Sequence, residues 1–189
     1  MENNNTTQTH VTQKLFTEML RPQTLDQAII VPRIREVLQH GLTTNILLSG
    51  SAGAGKTSLT RILTRGYQVL EINASLENGI DTIRDKVIAF ASQSSLFDGE
   101  EKLKVVVLEE CDGLSSEAWK ALRATIEKYH KTVRFIANCN YIDKVPDPIQ
   151  SRFNVIIIDP LTKEEEEYLF KGYLERIKYI LTKFNIQYT

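Results

Sequence analysis

The sequence predicts an α/β fold: a parallel sheet of five strands with helices on both faces. Three observations carry this. Short, mostly apolar segments recur at 46–48, 68–72, 105–108, 133–137 and 155–158, and the stretches between them carry apolar residues at helical spacing. Strands that alternate with helices of about 10–15 residues imply right-handed crossovers and a sheet covered on both sides. Nine Gly and five Pro in 189 residues leave little material for long loops. The composition, 42% hydrophobic and 25% charged, excludes collagen-like, disulfide-scaffold and wholly disordered chains.

In chain order, residues 1–13 are polar throughout and read as a disordered tail. An apolar pattern opens at Leu15 and is stopped by Arg21-Pro22, because the residue before proline avoids the helical region. Pro32 suits a first helical turn, with Ile34, Val37 and Leu38 as the stripe and Gly41 as the stop. The strand at 46–48 leads to a helix over 56–65 that Gly66 ends. After the strand at 68–72, Ile80, Ile83, Val87 and Ala91 mark the next helix. The run at 105–108 has the uninterrupted apolar character of a strand buried on both faces. Ala118, Trp119, Leu122, Ile126 and Tyr129 line a helix that Ser115 can cap. Two strands follow, at 133–137 and 155–158.

A long helix over 163–184 closes the sequence, with Thr162 and Glu165 in a capping box. Its expected stripe is Leu169, Tyr173, Leu174, Ile177, Ile180, Leu181 and Phe184, and Glu164 to Glu167 read as a solvated first turn favoured by the helix dipole. This division gives a polar tail (1–13), an α/β domain (14–160) and the start of a helical appendage (161–189).

Charge narrows the function. With 23 basic against 24 acidic residues the formal net charge is −1, which argues against a chain that coats nucleic acid over its whole surface but leaves room for one basic face. Cys111 and Cys139 stand singly at the ends of apolar runs, without the spacing of a zinc site, and read as small buried hydrophobes in a reducing compartment. No signal peptide and no membrane-spanning run is present in the sequence, so a soluble, non-secreted protein of the cytoplasm or nucleus is expected, the host cytoplasm if the chain is viral.

The strongest motif is Gly50-Ser51-Ala52-Gly53-Ala54-Gly55-Lys56-Thr57, which fits G-x-x-x-x-G-K-[ST]. Its glycines let backbone amides turn onto phosphate oxygens, Lys56 reaches the terminal phosphates and Thr57 can ligate magnesium. A bare glycine-rich turn is the plainer alternative, but a strand ends just before this segment and a helix begins at Lys56, as a phosphate loop requires. Ser58 extends the set at the start of that helix. The pair Glu109 and Glu110 closes a second strand. In that position the first carboxylate holds the metal through water and the second polarises the attacking water; the plainer alternative is two idle solvated carboxylates. Asn138, Cys139 and Asn140 end a further strand, where a neutral amide can orient the water or sense the terminal phosphate.

Taken in order, these segments resemble the AAA+ ATPases and, within them, the sliding-clamp loaders (replication factor C small subunits and the T4-type phage loader). The resemblance runs from about Leu20 to the last residue. It rests on Arg21-Pro22-x-Thr24-Leu25, on Ile72-Asn73-Ala74-Ser75 with Gly79-Ile80-Asp81 and Arg84-x-Lys86, and on Ala121-Leu122-Arg123 with Thr125-x-Glu127. It rests also on Cys139-Asn140-Tyr141 and Pro148-Ile149-Gln150-Ser151-Arg152.

The resemblance implies a set of roles. ATP and Mg²⁺ are the cofactors, with Thr57 and Glu109 on the metal, Lys56 and Glu110 catalytic, and Asn140 as sensor. Arg152 is an arginine finger acting on a neighbouring subunit's nucleotide. Ile30, with Ile29 and Val31, flanks the adenine, and Arg84 and Lys86 face DNA phosphates. The partners implied are a sliding clamp, primer-template DNA and other loader subunits in a ring, with no membrane. Three positions depart from the family pattern: Glu109 where Asp is usual, Phe153 after Ser-Arg, and Asn78 where many members carry a basic residue. The helical lid is represented only by its first helix, so either the sequence is a fragment or the remainder lies on another polypeptide. Two alternatives stand beside the clamp loader: another AAA+ machine on DNA (a helicase loader or Holliday-junction motor), and an ATP-binding structural subunit that does not hydrolyse.

Overall fold

A computed structural model describes residues 20–93 and 103–185. The tail expected over 1–13 and most of the apolar stretch from Leu15 lie outside the described residues.

Five parallel strands form the sheet: β1 (Ile46–Ser49), β2 (Gln68–Asn73), β3 (Lys104–Glu109), β4 (Val133–Cys139) and β5 (Asn154–Ile157), in the order β2-β3-β4-β1-β5. The helices are α1 (Pro32–Leu38), α2 (Lys56–Leu63), α3, α4 (Ser116–Tyr129), α5 (Asp147–Gln150) and α6 (Lys163–Lys183). The third is wound as a π-helix over Thr82–Ile88 and continues as an α-helix over Ala89–Ser92.

Strand alternation sorts the apolar residues into two cores. Ile46, Leu48, Val105, Val107 and Ile136 face one side, where Ile34 and Leu38 of α1 and Leu59 and Leu63 of α2 cover them. Leu47, Val106, Leu108, Phe135 and Ala137 face the other, under Ile83, Val87 and Ala91 of α3 and Ala118, Trp119, Leu122 and Ile126 of α4. The chain therefore leaves β1 toward one face and, through α5, leaves the neighbouring β4 toward the other. A parallel sheet opens a crevice at the carboxyl ends of its strands where crossovers part in this way.

The sequence-predicted strands and helices are all present, with boundaries moved by a residue or two. Three local expectations change. β3 begins at Lys104, which is buried because its ammonium donates to the Phe90 carbonyl at 2.9 Å and to the Gln93 carbonyl, closing the last turn of α3. Val37 is exposed although Ile34 and Leu38 are buried, so the α1 stripe is narrower than its spacing suggested. No residue of α6 is buried, and Tyr173, Leu174 and Ile177 of its expected stripe are exposed.

Phe135, fully buried in β4, has the largest side chain in the sheet interior. Phe135→Ala should lower unfolding stability by about 3–5 kcal/mol through lost transfer energy and the cavity left behind. Guanidinium denaturation measures it, and a loss well under that range would mean that the core under α3 and α4 collapses around the gap.

Candidate functional site

The loop between β1 and α2 turns through two left-handed glycines, Gly53 (φ 84°) and Gly55 (φ 90°), a region that side chains with a Cβ avoid. This leaves the first amides of α2 without helical partners and at the positive end of its dipole, the arrangement that receives phosphate oxygens. Gly50 has a different reason to lack a side chain: a Cβ there would stand 2.8 Å from Asp159 Oδ1 and 3.1 Å from Ile158 Cβ.

Lys56, the first residue of α2, folds back over the loop. Its ammonium donates to the carbonyls of Gly50 (2.7 Å) and Ser51 (2.9 Å) and to Asn140 Oδ1 (2.8 Å) at the end of β4. All three of its donors are thereby used, and the phosphate loop and Asn140 are joined by one contact.

The two carboxylates that end β3 differ in environment. Glu109 Oε2 accepts the Thr57 hydroxyl at 3.2 Å, while Glu109 Oε1 is buried and has no hydrogen-bond partner among the described residues. A buried carboxylate oxygen without a donor is costly. An oxygen-seeking cation that keeps several waters and takes ligand phosphates would satisfy it. The donor set of Thr57 and Glu109 therefore fits magnesium; among the described residues no cluster of three or more His, Cys, Asp or Glu offers a cage of its own. Glu110 is exposed and holds a left-handed backbone (φ 53°), a conformation that costs a non-glycine residue about 1–3 kcal/mol and turns its side chain out of the strand direction. Glu109, Glu110, Lys56, Thr57 and Asn140 line one cavity of about 200 Å³ with Asn138, Cys139 and the loop residues Ala52 and Gly53.

The structure separates the two asparagines of β4. Asn138 is buried and paired with Thr60, its amide nitrogen 2.9 Å from the hydroxyl. Asn140 is exposed, faces Lys56, and takes its backbone support from Asp112, whose Oδ1 accepts the Asn140 N–H at 3.4 Å. Cys111 and Cys139 are both buried, as the sequence suggested; a hydrogen bond with Cys139 and burial push the Cys111 thiol up, so it stays protonated.

Ile30 lines two further cavities, of about 460 and 240 Å³, between the phosphate loop and α6. Ile29, Gly53, Ala54, Leu59 and Tyr173 border both, and Ser58 borders the smaller. Their apolar walls suit a nucleobase and the ribose beside it.

The remaining predicted residues lie elsewhere. Arg152 precedes β5 and its carbonyl accepts the Asn45 side-chain amide at 3.0 Å, which sets it level with the amino end of β1. The phosphate loop leaves the opposite end of that strand, about 16 Å away at the usual rise per residue. Arg84 and Lys86 are exposed on α3, and Lys86 is ion-paired with Glu77.

Two contributors escaped the sequence reading. Asp159, just after β5, accepts the Ser51 N–H with both oxygens at 3.0 Å, and hydrogen bonds from Ser51, helped by the Lys56 charge, hold its carboxyl below the ordinary Asp range. Arg33 donates to the Ile157 (2.7 Å) and Ile158 (3.1 Å) carbonyls and to Glu165 (2.6 Å), so Glu165 is not an idle member of a solvated acidic turn. A single Asp after a strand and an Arg in a first turn carry no motif. Only the strand order, which puts β5 beside β1, reveals them.

The family of ATPases associated with various cellular activities (AAA) matches residues 46–161. The chain is 39% identical over 163 residues to a replication factor C small subunit of Haloarcula marismortui, a match spanning 80% of this chain and 49% of that protein. It is 37% identical over 186 residues to that of Sulfurisphaera tokodaii, spanning 92% and 54%. The chain thus spans about half the length of the curated relatives it matches. Among solved structures, the Thermotoga maritima RuvB Holliday junction branch migration motor superposes with a TM-score of 0.62 at 19% identity, covering 84% of this chain and 55% of that one. A DNA polymerase III gamma subunit-related protein from the same organism gives 0.54 at 21%, covering 77% and 56%. These two likenesses show the fold.

The Asp159 contact predicts a pH signature. Its folded value is depressed, so the stabilisation is complete above the ordinary Asp value of about 4 and is lost as pH falls through the lower folded value. Asp159→Asn keeps an acceptor for the Ser51 N–H but cannot titrate. Thermal melts from neutral pH downward should therefore show a steeper acid decline for the unmodified chain than for Asp159→Asn. Parallel declines would mean that the carboxylate charge contributes nothing to holding the loop.

Proposed function

The chain belongs to the AAA family of ATPases, and on that premise we propose that it is the nucleotide-hydrolysing part of a sliding-clamp loader subunit. In this reading it uses ATP to open a ring-shaped clamp and set it on primer-template DNA, in a ring with other loader subunits. The observation that carries the reading is the split of the catalytic set across the sheet. Lys56, Glu109, Glu110 and Asn140 surround one cavity at the carboxyl ends, while Arg152 stands at the amino end, out of reach of its own phosphate loop. Such a division suits an enzyme whose site is completed by a neighbour. The similarity to replication factor C small subunits, at twice the identity of the RuvB likeness, favours a clamp loader over a Holliday-junction motor.

The chemistry follows from the residues. The amides at the start of α2 receive the phosphates, and Lys56 exchanges its carbonyl acceptors for β- and γ-phosphate oxygens. Thr57 and Glu109 would hold Mg²⁺, whose charge would offset that building on the phosphates. Glu110 orients the attacking water and draws on its proton, and Asn140, already beside the ammonium, touches the same water or the γ-phosphate. Arg152 of one subunit stabilises the transferring phosphoryl group in the next. The adenine lies against Ile30 in the cavities beside α6. Arg84 and Lys86 on α3 meet DNA phosphates, Lys86 after leaving Glu77.

Residues 14–160 form the ATPase domain and 161–189 the start of a lid. Among the described residues no helix is long and apolar enough to cross a membrane; a clamp-loading subunit would act where DNA is replicated, in the cytoplasm or nucleus.

Lys56→Ala should weaken ATP binding about 10- to 100-fold, the worth of a charge-assisted contact, and calorimetric titration reads it directly. Glu110→Gln should keep ATP affinity and lose phosphate release. If Glu110→Gln binds ATP as poorly as Lys56→Ala, the carboxylate is structural and the assignment fails. Arg152→Ala should leave the affinity of the isolated chain unchanged and cut turnover about 10³- to 10⁵-fold only where chains meet. An equal loss in the isolated chain would place the finger in its own site and refute the ring.

A further inference from the structure

The guanidinium of Arg152 offers five N–H groups, and most are taken within its own chain. Nε donates to Glu127 Oε1 at 3.1 Å, Nη2 donates to the same oxygen, and Nη1 donates to the Pro148 carbonyl and to Ser151 Oγ at 3.3 Å. Glu127 Oε1 also accepts from Arg123 Nε at 3.4 Å, one turn earlier on α4. One carboxylate oxygen is therefore shared by two arginines that reach it from different segments. The site is open to solvent: the Arg152 side chain is 25% exposed and that of Glu127 51%. The hydrogen bonding from Arg152, followed by its charge and by the weaker contact of Arg123, holds the Glu127 carboxyl below its ordinary range.

We propose that Glu127 stores Arg152 within the chain and yields it to a neighbouring chain's nucleotide, with Arg123 staying behind as the counter-charge. The inference rests on Arg152 acting in trans. As stored, the side chain lacks the free pair of N–H groups that a bidentate phosphate contact needs, so engagement must break the Glu127 contact. The stored state is shallow. Exposed pairs of this kind are worth about a two- to fivefold shift in equilibrium, well below the gain an arginine finger brings to the transition state. Arg123 makes the exchange easier, because Glu127 is left paired rather than alone when Arg152 departs. Glu127 is thus a positioning residue with a restraining effect, and Glu127 and Arg123 have opposite effects on the release of Arg152.

Two chains that work only together isolate this step. A donor carrying Lys56→Ala supplies Arg152 but has no working phosphate loop; an acceptor carrying Arg152→Ala has the loop and no finger. ATP turnover is followed as donor is titrated into acceptor. Adding Glu127→Gln to the donor should lower the donor concentration for half-maximal turnover about two- to fivefold, with the maximal rate and the thermal midpoint unchanged. Adding Arg123→Ala should raise that concentration, and Glu127→Asp, which keeps the charge, should return it toward the unmodified value. An unchanged or raised concentration with Glu127→Gln overturns the proposal. So does a shift of the same sign for Glu127→Gln and Arg123→Ala, the pattern expected if both only support α4. If the unmodified donor gives no turnover, action in trans fails and this inference with it; calorimetric ATP binding to the acceptor then shows whether the phosphate-loop assignment stands apart from it.

Discussion

The Lys56 ammonium is the contact on which the site depends. It draws two loop carbonyls and the Asn140 side chain to one point, and so fixes the loop after β1 to the end of β4. From the other side Asp159 holds the Ser51 N–H, tying the same loop to the end of β5. The left-handed glycines 53 and 55 leave the loop no side chains to pack with at those turns, so these polar ties are what shape it. An ammonium with three donors already satisfied costs little to keep partly buried, and each donor can be passed to a phosphate oxygen without leaving a charge unpaired. Asn140 is held by the same ammonium, its side-chain oxygen one of the three acceptors that gather around it.

The sheet sets the scale of everything beyond that contact. Parallel strands deliver every loop that follows a strand to one end, which is why Lys56, Glu109, Glu110, Asn140 and Asp159 gather although they are spread over more than a hundred residues. The same rule sends whatever precedes a strand to the other end. Arg152 is fixed there by Asn45, whose amide donates to the Arg152 carbonyl and whose Oδ1 accepts the Phe135 N–H at 3.0 Å. One asparagine thus pins the Arg152 backbone to β1 and β4 together. The side chain inherits a rigid base from the sheet, and only its guanidinium has alternatives.

Much of this was legible in the sequence because it is written locally. The phosphate loop is eight consecutive residues between an apolar run and a helical stripe, and the Glu109-Glu110 pair follows a run of four apolar residues. Five strands could be found from apolar runs alone, and the capping box at Thr162 and Glu165 forms as its spacing suggests. What stayed hidden depends on order across the sheet. Asp159 and Ser51 are 108 residues apart, and their contact exists because β5 lies next to β1. The burial of Lys104 is equally non-local, since a strand-initial lysine looks like a polar border until α3 presents its last carbonyls to it. The two asparagines of β4 illustrate the limit most sharply. Strand alternation puts Asn138 and Asn140 on the same face in sequence terms, yet Asn138 meets Thr60 inside the protein while Asn140, past the strand end, meets Lys56 in the open.

The stripe of α6 misled for a different reason. Apolar residues at helical spacing announce a face that shuns water, and a solid core is the usual partner. Here Leu169, Phe170 and Tyr173 wall the larger cavity over the phosphate loop, so part of the stripe borders open space instead of a solid core. The helix is held at that wall by its first turn. Arg33 bonds the last carbonyls of β5 and the capping glutamate of α6 together, and the linker between them carries Asp159 to the phosphate loop. Five residues, 157–161, therefore join sheet, loop and helix, and their polar contacts run through backbone or charge. Apolar packing backs them: Ile158 is buried in the core, and Leu161 and Leu169 pack against it. The helix is tied again further along, where Arg176 donates to the Leu20 carbonyl at 3.1 Å, and Leu169 packs against the core. Polar contacts at two points and apolar packing between them together set where the cavity wall stands.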